Sequence, residues 1–333
     1  MEKFASDFYN NYRRLGQIDL LANNGGKKKL PIFLLRVVIE LVFHSRKYDV
    51  IHLYDAVLSP LIFFVRLFSK AKVTFTVNGL DIVYSRLGYQ IFMPFFLMKA
   101  DKIIAISQYT MEQCVMRGIP KEKLMVIPVG YNFKSIEVLS VEKRIATMSK
   151  YGISWREKKI LITVGRLVKR KGHAWFIEHV LIELPKDYIY LIIGDGPELK
   201  LLSKLVTKLD LIGRVYLLGR VSDEEKGNLY QMADLFVMPN IHVEGDQEGF
   251  GIVLLEAGQY GLPVIASNIE GVRDAVLNGK SGMLIDEKNS MGFIDSILRF
   301  NPDKSAILPA LNSKFNWDKV ITAYFEMFQD FSV

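Results

Sequence analysis

The feature that most constrains the fold is the alternation of short apolar runs with helical patterns along most of the chain. The predicted strands of the first half are residues 18–22, 50–54, 72–77, 102–107 and 124–128. Those of the second half are residues 160–164, 188–193, 215–218, 235–238, 264–266 and 283–285. Strands that alternate with helices pair in parallel and form doubly wound sheets. Because 333 residues suffice for about two domains, the pattern predicts two Rossmann-like α/β domains.

The first domain is predicted to be unusual at its start. A doubly wound domain normally opens with a strand whose first turn binds a ligand, whereas residues 2–15 have apolar side chains at helical spacing. We therefore expect this domain, residues 1–140, to lack its opening strand, either because the chain begins at an internal methionine or because it is a divergent form. A turn is predicted at residues 23–26, and the second domain is placed at residues 141–312.

Charge is distributed unevenly between the two halves. Residues 1–140 hold 19 Lys and Arg against 11 Asp and Glu, a net of +8, whereas the remainder holds 24 against 25. Nucleic acid, an anionic membrane surface and an anionic acceptor all attract such a basic half. No nucleic-acid-binding motif accompanies the charge, so we predict no nucleic-acid partner.

Cations from Lys27 to Lys47 are interleaved with apolar residues, which is typical of a helix lying on an anionic leaflet. Packing of residues 30–43 on the sheet as a core helix explains the same pattern equally well. The lone Cys114 excludes a disulfide framework and favours a reducing compartment. We expect a cytoplasmic protein, with peripheral attachment to the inner face of the membrane as an open alternative.

The stretch from Glu248 to Glu256 carries the most specific chemistry. Gly249 and Gly251 allow a backbone to approach a ligand closely, and the helix that begins near Ile252 directs N–H groups at an anion. One carboxylate precedes this anion site and the other lies about one turn into the helix. The pattern suits a sugar nucleotide, although a surface glutamate before an ordinary helix explains it about as well.

A second anion site is predicted in the loop at 165–172, which contains four cations between a strand end and a helix start. A phosphate would bind at such a position, and Lys169 and Arg170 are expected to face solvent. The turn at 194–198 is not G-x-G-x-x-G, which disfavours a nicotinamide dehydrogenase. The loop with His242, Glu244 and Asp246 is a weak metal signal, and we predict no metal site.

Two glutamates eight apart around Gly-Phe-Gly resemble the motif of the retaining glycosyltransferases with two Rossmann-like domains, the GT-B fold. The segments 165–172 and 194–198 also resemble that family. The resemblance implies donor-binding roles for Arg166, Lys171, Gly194, Val221, Glu248, Gly249, Phe250, Gly251, Ile252, Val253 and Glu256. It further implies that Arg166 and Lys171 clamp the donor diphosphate, and that the helix at 313–333 packs back on the first domain.

Residues 78–81 resemble a family segment in which a histidine lies near the transferred sugar. Here Asn78 occupies that position, and asparagine donates and accepts hydrogen bonds but does not titrate. The resemblance implies catalytic roles for Glu248, Arg166, Lys171 and Asn78. Because of the departure at Asn78, its location in the site is better supported than its role.

The resemblance implies a retaining glycosyltransferase that takes a UDP- or GDP-linked sugar as co-substrate and needs no other cofactor. Its acceptor is expected to be a glycan or a lipid-linked glycan of cell-envelope polysaccharide or glycoconjugate synthesis. Two other classes stay open, a non-catalytic partner that keeps the fold and a nucleotide-sugar epimerase of the same architecture. Transfer to an acceptor distinguishes the enzyme from both.

Overall fold

The structure is a computed structural model and describes residues 2–23, 26, 29–84 and 87–331. The chain divides into two compact units. The first comprises Met1–Asn132, Glu248–Phe250 and Phe315–Val333, and the second comprises Phe133–Gln247 and Gly251–Lys314. The first break therefore falls earlier than the predicted boundary after residue 140, and the 248–256 motif is divided between the units.

The strands are β1 Val50–Leu53, β2 Lys72–Val77, β3 Lys102–Ala105, β4 Leu124–Val126, β5 Lys159–Val164, β6 Tyr188–Ile193, β7 Val215–Gly219, β8 Leu235–Met238, β9 Val264–Ser267 and β10 Gly282–Ile285. The helices are α1 Glu2–Tyr12, α2 Leu30–His44, α3 Ile62–Phe68, α4 Leu80–Val83, α5 Leu87–Leu97, α6 Gln108–Met116, α7 Val141–Lys150, α8 His173–His179, α9 Leu199–Lys208, α10 Asp223–Met232, α11 Ile252–Gln259, α12 Val272–Ala275, α13 Ser290–Arg299, α14 Lys304–Phe315 and α15 Trp317–Gln329. Short 3₁₀ helices are Ser45–Lys47, Ala56–Leu61, Lys121–Lys123, Lys169–Lys171 and Leu181–Glu183. Within the described part of the chain, none of the helices combines the length and the apolar character needed to cross a bilayer.

The first unit is built on a parallel sheet in the order β1-β2-β3-β4. Side chains alternate between the faces of a strand, and in β2 Val73 and Phe75 join the core formed with α2, α3 and α5. On the opposite face, the hydroxyl of Thr76 lies 2.8 Å from the Tyr324 hydroxyl of α15. Because α1 and α15 share a core cluster on that side, the sheet lies between two helical layers.

The strand predicted at residues 18–22 is wrong, because this segment is irregular chain. Ile18 packs with the α1 and α15 cluster, whereas Leu21 packs with the cluster on the other face. Its apolar residues are therefore used to reach two cores rather than to form one face of a strand. Asn23 and Gly26 are joined by a side-chain to carbonyl hydrogen bond of 3.0 Å, and the rest of the predicted turn at 24–25 lies outside the described residues.

The second unit is built on a parallel sheet in the order β10-β9-β8-β5-β6-β7. The chain builds one side through β5, β6 and β7, then returns to the middle and builds the other side through β8, β9 and β10. The inner strands β5, β6, β8 and β9 are buried on both faces and read as continuous apolar runs, as parallel sheets between helices do. In open sheets of this type, ligands bind beyond the carboxyl ends of the strands where the order reverses, here between β5 and β8.

Candidate functional site

The loop 165–172 follows β5 and therefore begins at this reversal point. Lys171 in the loop is 7% exposed. A Cβ atom built on Gly165 would lie 3.4 Å from Cε and 3.7 Å from Nζ of Lys171, so the lysine side chain lies along the glycine backbone. Arg166 is exposed. The loop thus carries one buried and one exposed cation, both among the predicted phosphate-binding residues.

Lys169 is exposed as expected, but the expectation for Arg170 is wrong. The Arg170 side chain is half-buried, and its Nε lies 2.9 Å from Oδ1 of Asp246. The Arg170 carbonyl also accepts a 2.8 Å hydrogen bond from the backbone N–H of Ile241. Arg170 therefore ties the loop after β5 to the loop after β8, a long-range pairing that loop composition does not reveal.

Gly194 is required by close backbone packing. Its φ is 141°, and a Cβ atom there would collide with the carbonyl oxygen of Gly165. The Gly194 N–H also donates a 2.8 Å hydrogen bond to the carbonyl of Gly219 at the end of β7. Half-buried Val221 follows in that loop. The loops after β5, β6 and β7 are therefore joined at the carboxyl edge of the sheet, where the predicted donor residues lie.

The helix α11 begins without a side-chain cap, after Gly251 in the left-handed conformation at φ 90°. The first N–H groups of an α-helix have no intrahelical carbonyl partners. The N–H groups of Ile252 and Val253 therefore point out of the N-terminal end of α11. One turn later, the Glu256 carboxylate lies 3.1 Å from Nζ of Lys226 on α10. It also accepts a 3.3 Å hydrogen bond from the Tyr230 hydroxyl.

Lys226 is a residue that the sequence analysis missed, because it lies on a different helix from Glu256. Near Lys226 the sequence offers one local signal, the helix-capping pattern that starts at Ser222, and in the structure Ser222 and Glu225 form a reciprocal capping box. The capping pattern predicts where α10 begins, but it does not predict that Lys226 of this helix pairs with Glu256.

In the first unit, Asn78 lies in the loop after β2, which is held by a buried carboxylate. Asp81 accepts a 2.8 Å hydrogen bond from the Asn78 N–H and a 3.0 Å one from the Ala56 N–H. Burial, with a smaller contribution from Asp55, raises the pKa of the Asp81 carboxyl to about 7. Asp81 thus positions Asn78. The sequence pattern included Asp81 in the segment 78–81 but predicted no role for it.

The segment Glu248–Phe250 packs against the Asn78 loop within the first unit. A Cβ atom on Gly249 would overlap the Asn78 carbonyl oxygen, and one on Gly79 would lie 2.9 Å from the Gly249 Cα. Buried Phe250 packs edge-on against Phe315, with ring centroids 5.6 Å apart. The close approach at Gly249 is therefore made by protein backbone, and it places Glu248 beside the loop that carries Asn78.

Replacing Asp81 by asparagine is expected to loosen this loop and to change how stability depends on pH. Asparagine loses one of two acceptors, at a cost of about 1–3 kcal/mol. Because folding raises the Asp81 pKa from 3.8 to about 7, its contribution to the free energy of unfolding falls as pH rises between these values. Thermal melts across that window should show this slope in the original protein and not in Asp81→Asn. An equal dependence of stability on pH in the two proteins would contradict the raised pKa of Asp81.

The histidines are not grouped with other metal-binding side chains. His173 is buried, which lowers its pKa to about 3, and its Nδ1 lies 3.3 Å from the Tyr190 hydroxyl. His242 is exposed, and its Nδ1 lies 3.6 Å from Glu270. Among residues 2–23, 26, 29–84 and 87–331, no group of three His, Cys, Asp or Glu side chains is arranged to hold a metal ion.

Parallel doubly wound sheets bind their ligands at the carboxyl ends of the strands, and in this protein the cationic loop lies at such an end. Residues 150–309 match the family described as Glycosyl transferases group 1, and residues 6–134 match Glycosyltransferase Family 4. The chain belongs to the group 1 glycosyltransferases and is an enzyme of that class.

Among curated relatives, an uncharacterized 41.2 kDa protein in the cps region of Klebsiella pneumoniae is 26% identical over 326 residues, covering 93% of this chain and 87% of that protein. A GDP-mannose-dependent alpha-(1-6)-phosphatidylinositol monomannoside mannosyltransferase of Mycolicibacterium smegmatis is 31% identical over 193 residues, covering 56% of this chain and 49% of that protein.

Among solved structures, Anabaena HepE in complex with UDP superposes with a TM-score of 0.78 at 20% identity, covering 99% of this chain and 96% of that one. Identity this low shows the fold alone. The fold is GT-B, as the sequence resemblance implied.

Proposed function

We propose that this chain is a retaining glycosyltransferase that moves a sugar from a nucleoside diphosphate to a glycan or lipid-linked acceptor in cell-envelope polysaccharide or glycoconjugate synthesis. Its relatives support a role in cell-envelope synthesis, since one is a protein of a cps region and another is a phosphatidylinositol monomannoside mannosyltransferase. UDP and GDP both remain candidates for the donor, because HepE was solved with UDP-glucose and the mannosyltransferase uses GDP-mannose.

The observation that carries the proposal is the cationic loop at the reversal point of the second sheet. Lys171 is buried there and Arg166 is exposed, so a diphosphate would meet one pre-positioned ammonium and one adaptable guanidinium. Charge builds on the diphosphate oxygens as the bond to the sugar breaks. Fixed cations aimed at that charge stabilise the transition state more than the ground state.

We assign the nucleoside to other residues of the second unit. The ion pair between Glu256 and Lys226 at 3.1 Å fixes a carboxylate that can accept hydrogen bonds from the ribose hydroxyls. Val221 and Gly194 lie in the loops after β7 and β6, and Val221 offers its backbone to the base. The uncapped N–H groups at the start of α11, at Ile252 and Val253 after Gly251, supply neutral donors for phosphate oxygens.

Glu248 and Asn78 are assigned to the hydroxyls of the transferred sugar. The packing of Gly249 on the Asn78 loop holds together the two backbone segments that carry these side chains, and the neighbouring Phe250 is buried. Asn78 acts as a hydrogen-bonding group, because an amide does not titrate. Hydrogen bonds that orient the sugar lower the entropic cost of reaching the transition state.

In the proposed reaction, the bond between the anomeric carbon and the diphosphate oxygen breaks, and the electron pair leaves with the diphosphate. The acceptor hydroxyl forms its bond on the same face of the sugar, and its proton passes to the departing diphosphate oxygen. No other reactant is needed for the balance. Arg166 and Lys171 hold the leaving group on that face and compensate its charge.

Proton NMR of the reaction with UDP-glucose, GDP-mannose and related donors tests this proposal. The expected result is transfer to a glycan or lipid-linked acceptor with the anomeric coupling of the donor kept in the product. Inverted coupling would contradict retention. Release of an epimerised sugar without acceptor would instead indicate an epimerase, and donor binding without turnover would indicate a non-catalytic partner.

A further inference from the structure

The helix α2 in the first unit exposes an apolar stripe to solvent. The exposed apolar residues along it are Ile32, Leu35, Ile39 and Phe43. Residues three and four apart share a helix face, and the opposite face is buried through Val37 and Leu41. Ile32 is 71% exposed and Phe43 is 73% exposed. The helix therefore has two apolar faces, only one of which packs in the core.

The neighbouring helices have the same arrangement. On α3, Phe63 and Leu67 are 60% and 61% exposed, one turn apart. On α5, Ile91, Phe92 and Phe95 are 62%, 62% and 50% exposed. The inward residues of both helices belong to the buried cluster that also holds Val37 of α2. Apolar side chains thus point both into the core and away from it on all three helices.

These three helices form one continuous layer. α2 contacts α3, and the 3₁₀ helix Ala56–Leu61, which leads into α3, contacts α5. All of them cover the same face of the first sheet. We call the side of this layer that points away from the sheet the outer helical face. Scattered exposed apolar residues are ordinary on a soluble protein, whereas a contiguous set of this kind marks an interaction surface.

The charges on the outer helical face are positive. Arg36 is exposed on the same stripe of α2, one turn from Ile32, and Nζ of Lys99 lies 4.7 Å above the ring of Phe95. The three helices contain a single carboxylate, Glu40. That carboxylate is 2.9 Å from His44, and its other oxygen is 3.7 Å from Lys47.

We propose that the outer helical face docks this protein on an anionic lipid bilayer. Apolar side chains such as Phe43 and Phe92 enter the boundary between headgroups and acyl chains, and Arg36 and Lys99 meet lipid phosphates. Apolar side chains interleaved with cations suit such a surface, because the headgroups supply the negative charge that the protein lacks there. The inference concerns attachment and does not depend on the donor or on the stereochemistry of transfer.

The test is co-sedimentation of the full chain with vesicles of phosphatidylcholine alone and of phosphatidylcholine mixed with an equal amount of phosphatidylglycerol. Binding to the anionic vesicles at low salt is expected, and it should weaken at high salt because salt screens the attraction between the cations and the lipid phosphates. Lack of binding to the anionic vesicles at low salt would overturn the proposal, as would equal binding to both compositions at both salts.

Two variants locate the surface. The double substitution Phe43→Ser and Phe92→Ser should reduce vesicle binding at least about tenfold, because it removes two large apolar side chains from the part of the surface that enters the bilayer. Met291→Ser, at a position 80% exposed in the second unit, is the matched control and should bind as the original protein does. Thermal melts and donor-binding calorimetry check that both variants stay folded, and undiminished binding by the double variant would overturn the assignment of the face.

Discussion

Gly249→Ala is expected to lower the melting temperature and to reduce transfer by about 100-fold or more, since misplacing a site by about 1 Å costs that much. The added methyl group would overlap the carbonyl oxygen of Asn78. The methyl carbon is bonded directly to Cα and the carbonyl oxygen belongs to the backbone, so neither can rotate away. The Glu248–Phe250 segment must therefore move from the loop that carries Asn78, and overpacking of this kind costs about 1–3 kcal/mol.

The matched control is Gly88→Ala. Gly88 lies in α5 of the same unit, and a Cβ atom there meets no heavy atom within 4 Å. Alanine in a helix is favoured over glycine by about 1 kcal/mol, so this variant should be at least as stable as the original protein and fully active. Thermal melts and initial transfer rates are the measurements, and full activity in Gly249→Ala would show that its contact with Asn78 is not needed.

Much of the second unit could be predicted because its signals are local. Strands buried on both faces read as apolar runs, and β5, β6 and β8 lie within a residue of their predicted bounds. Ligand-binding loops of a parallel sheet follow its strands, so the loops that contain Arg166 and Gly194 could be located from the strand pattern, whereas the choice of these two residues came from the family resemblance. The strand order that places the reversal point between β5 and β8 could not be predicted, because pairing is non-local.

The features that sequence reasoning missed are long-range polar contacts. Arg170 meets Asp246 at 2.9 Å, Lys226 meets Glu256 at 3.1 Å, and Asp81 binds the N–H of Ala56 at 3.0 Å. The two residues of each pair are far apart in the sequence, so no helix or strand periodicity predicts the contact. Each of these contacts stabilises a predicted site residue or the loop that contains such a residue.

The same limit explains the error at residues 18–22 and the ambiguity of α2. A run of apolar residues shows that a segment is buried somewhere, but not in which core or against which neighbour. Residues 18–22 contact two clusters without pairing in a sheet. In α2 one face is buried, as the core-helix interpretation predicts, and the other is exposed. Membrane binding by the exposed face stays a prediction.

Lys171→Met is expected to weaken binding of a nucleotide sugar by about 10- to 100-fold, because it removes a charge-assisted hydrogen bond worth about 1.5–3 kcal/mol. Methionine keeps the length of a side chain that is 7% exposed, so the substitution removes the charge without opening a cavity. The turnover rate should fall further, by about 100-fold or more, since the leaving diphosphate gains charge in the transition state. Arg166→Ala should act in the same direction.

Lys169→Ala is the matched control, because Lys169 belongs to the same loop and is exposed. It lowers the charge of the loop by the same amount as Lys171→Met, so general attraction of an anion would weaken equally in both. Calorimetric titration with UDP and GDP sugars separates the two cases, since only a positioned cation predicts a loss confined to Lys171→Met and Arg166→Ala. If Lys171→Met and Arg166→Ala bind the nucleotide sugars as tightly as the original protein does, the diphosphate does not bind at this loop. If all three variants lose the same affinity, the loop attracts the anion only through its overall charge.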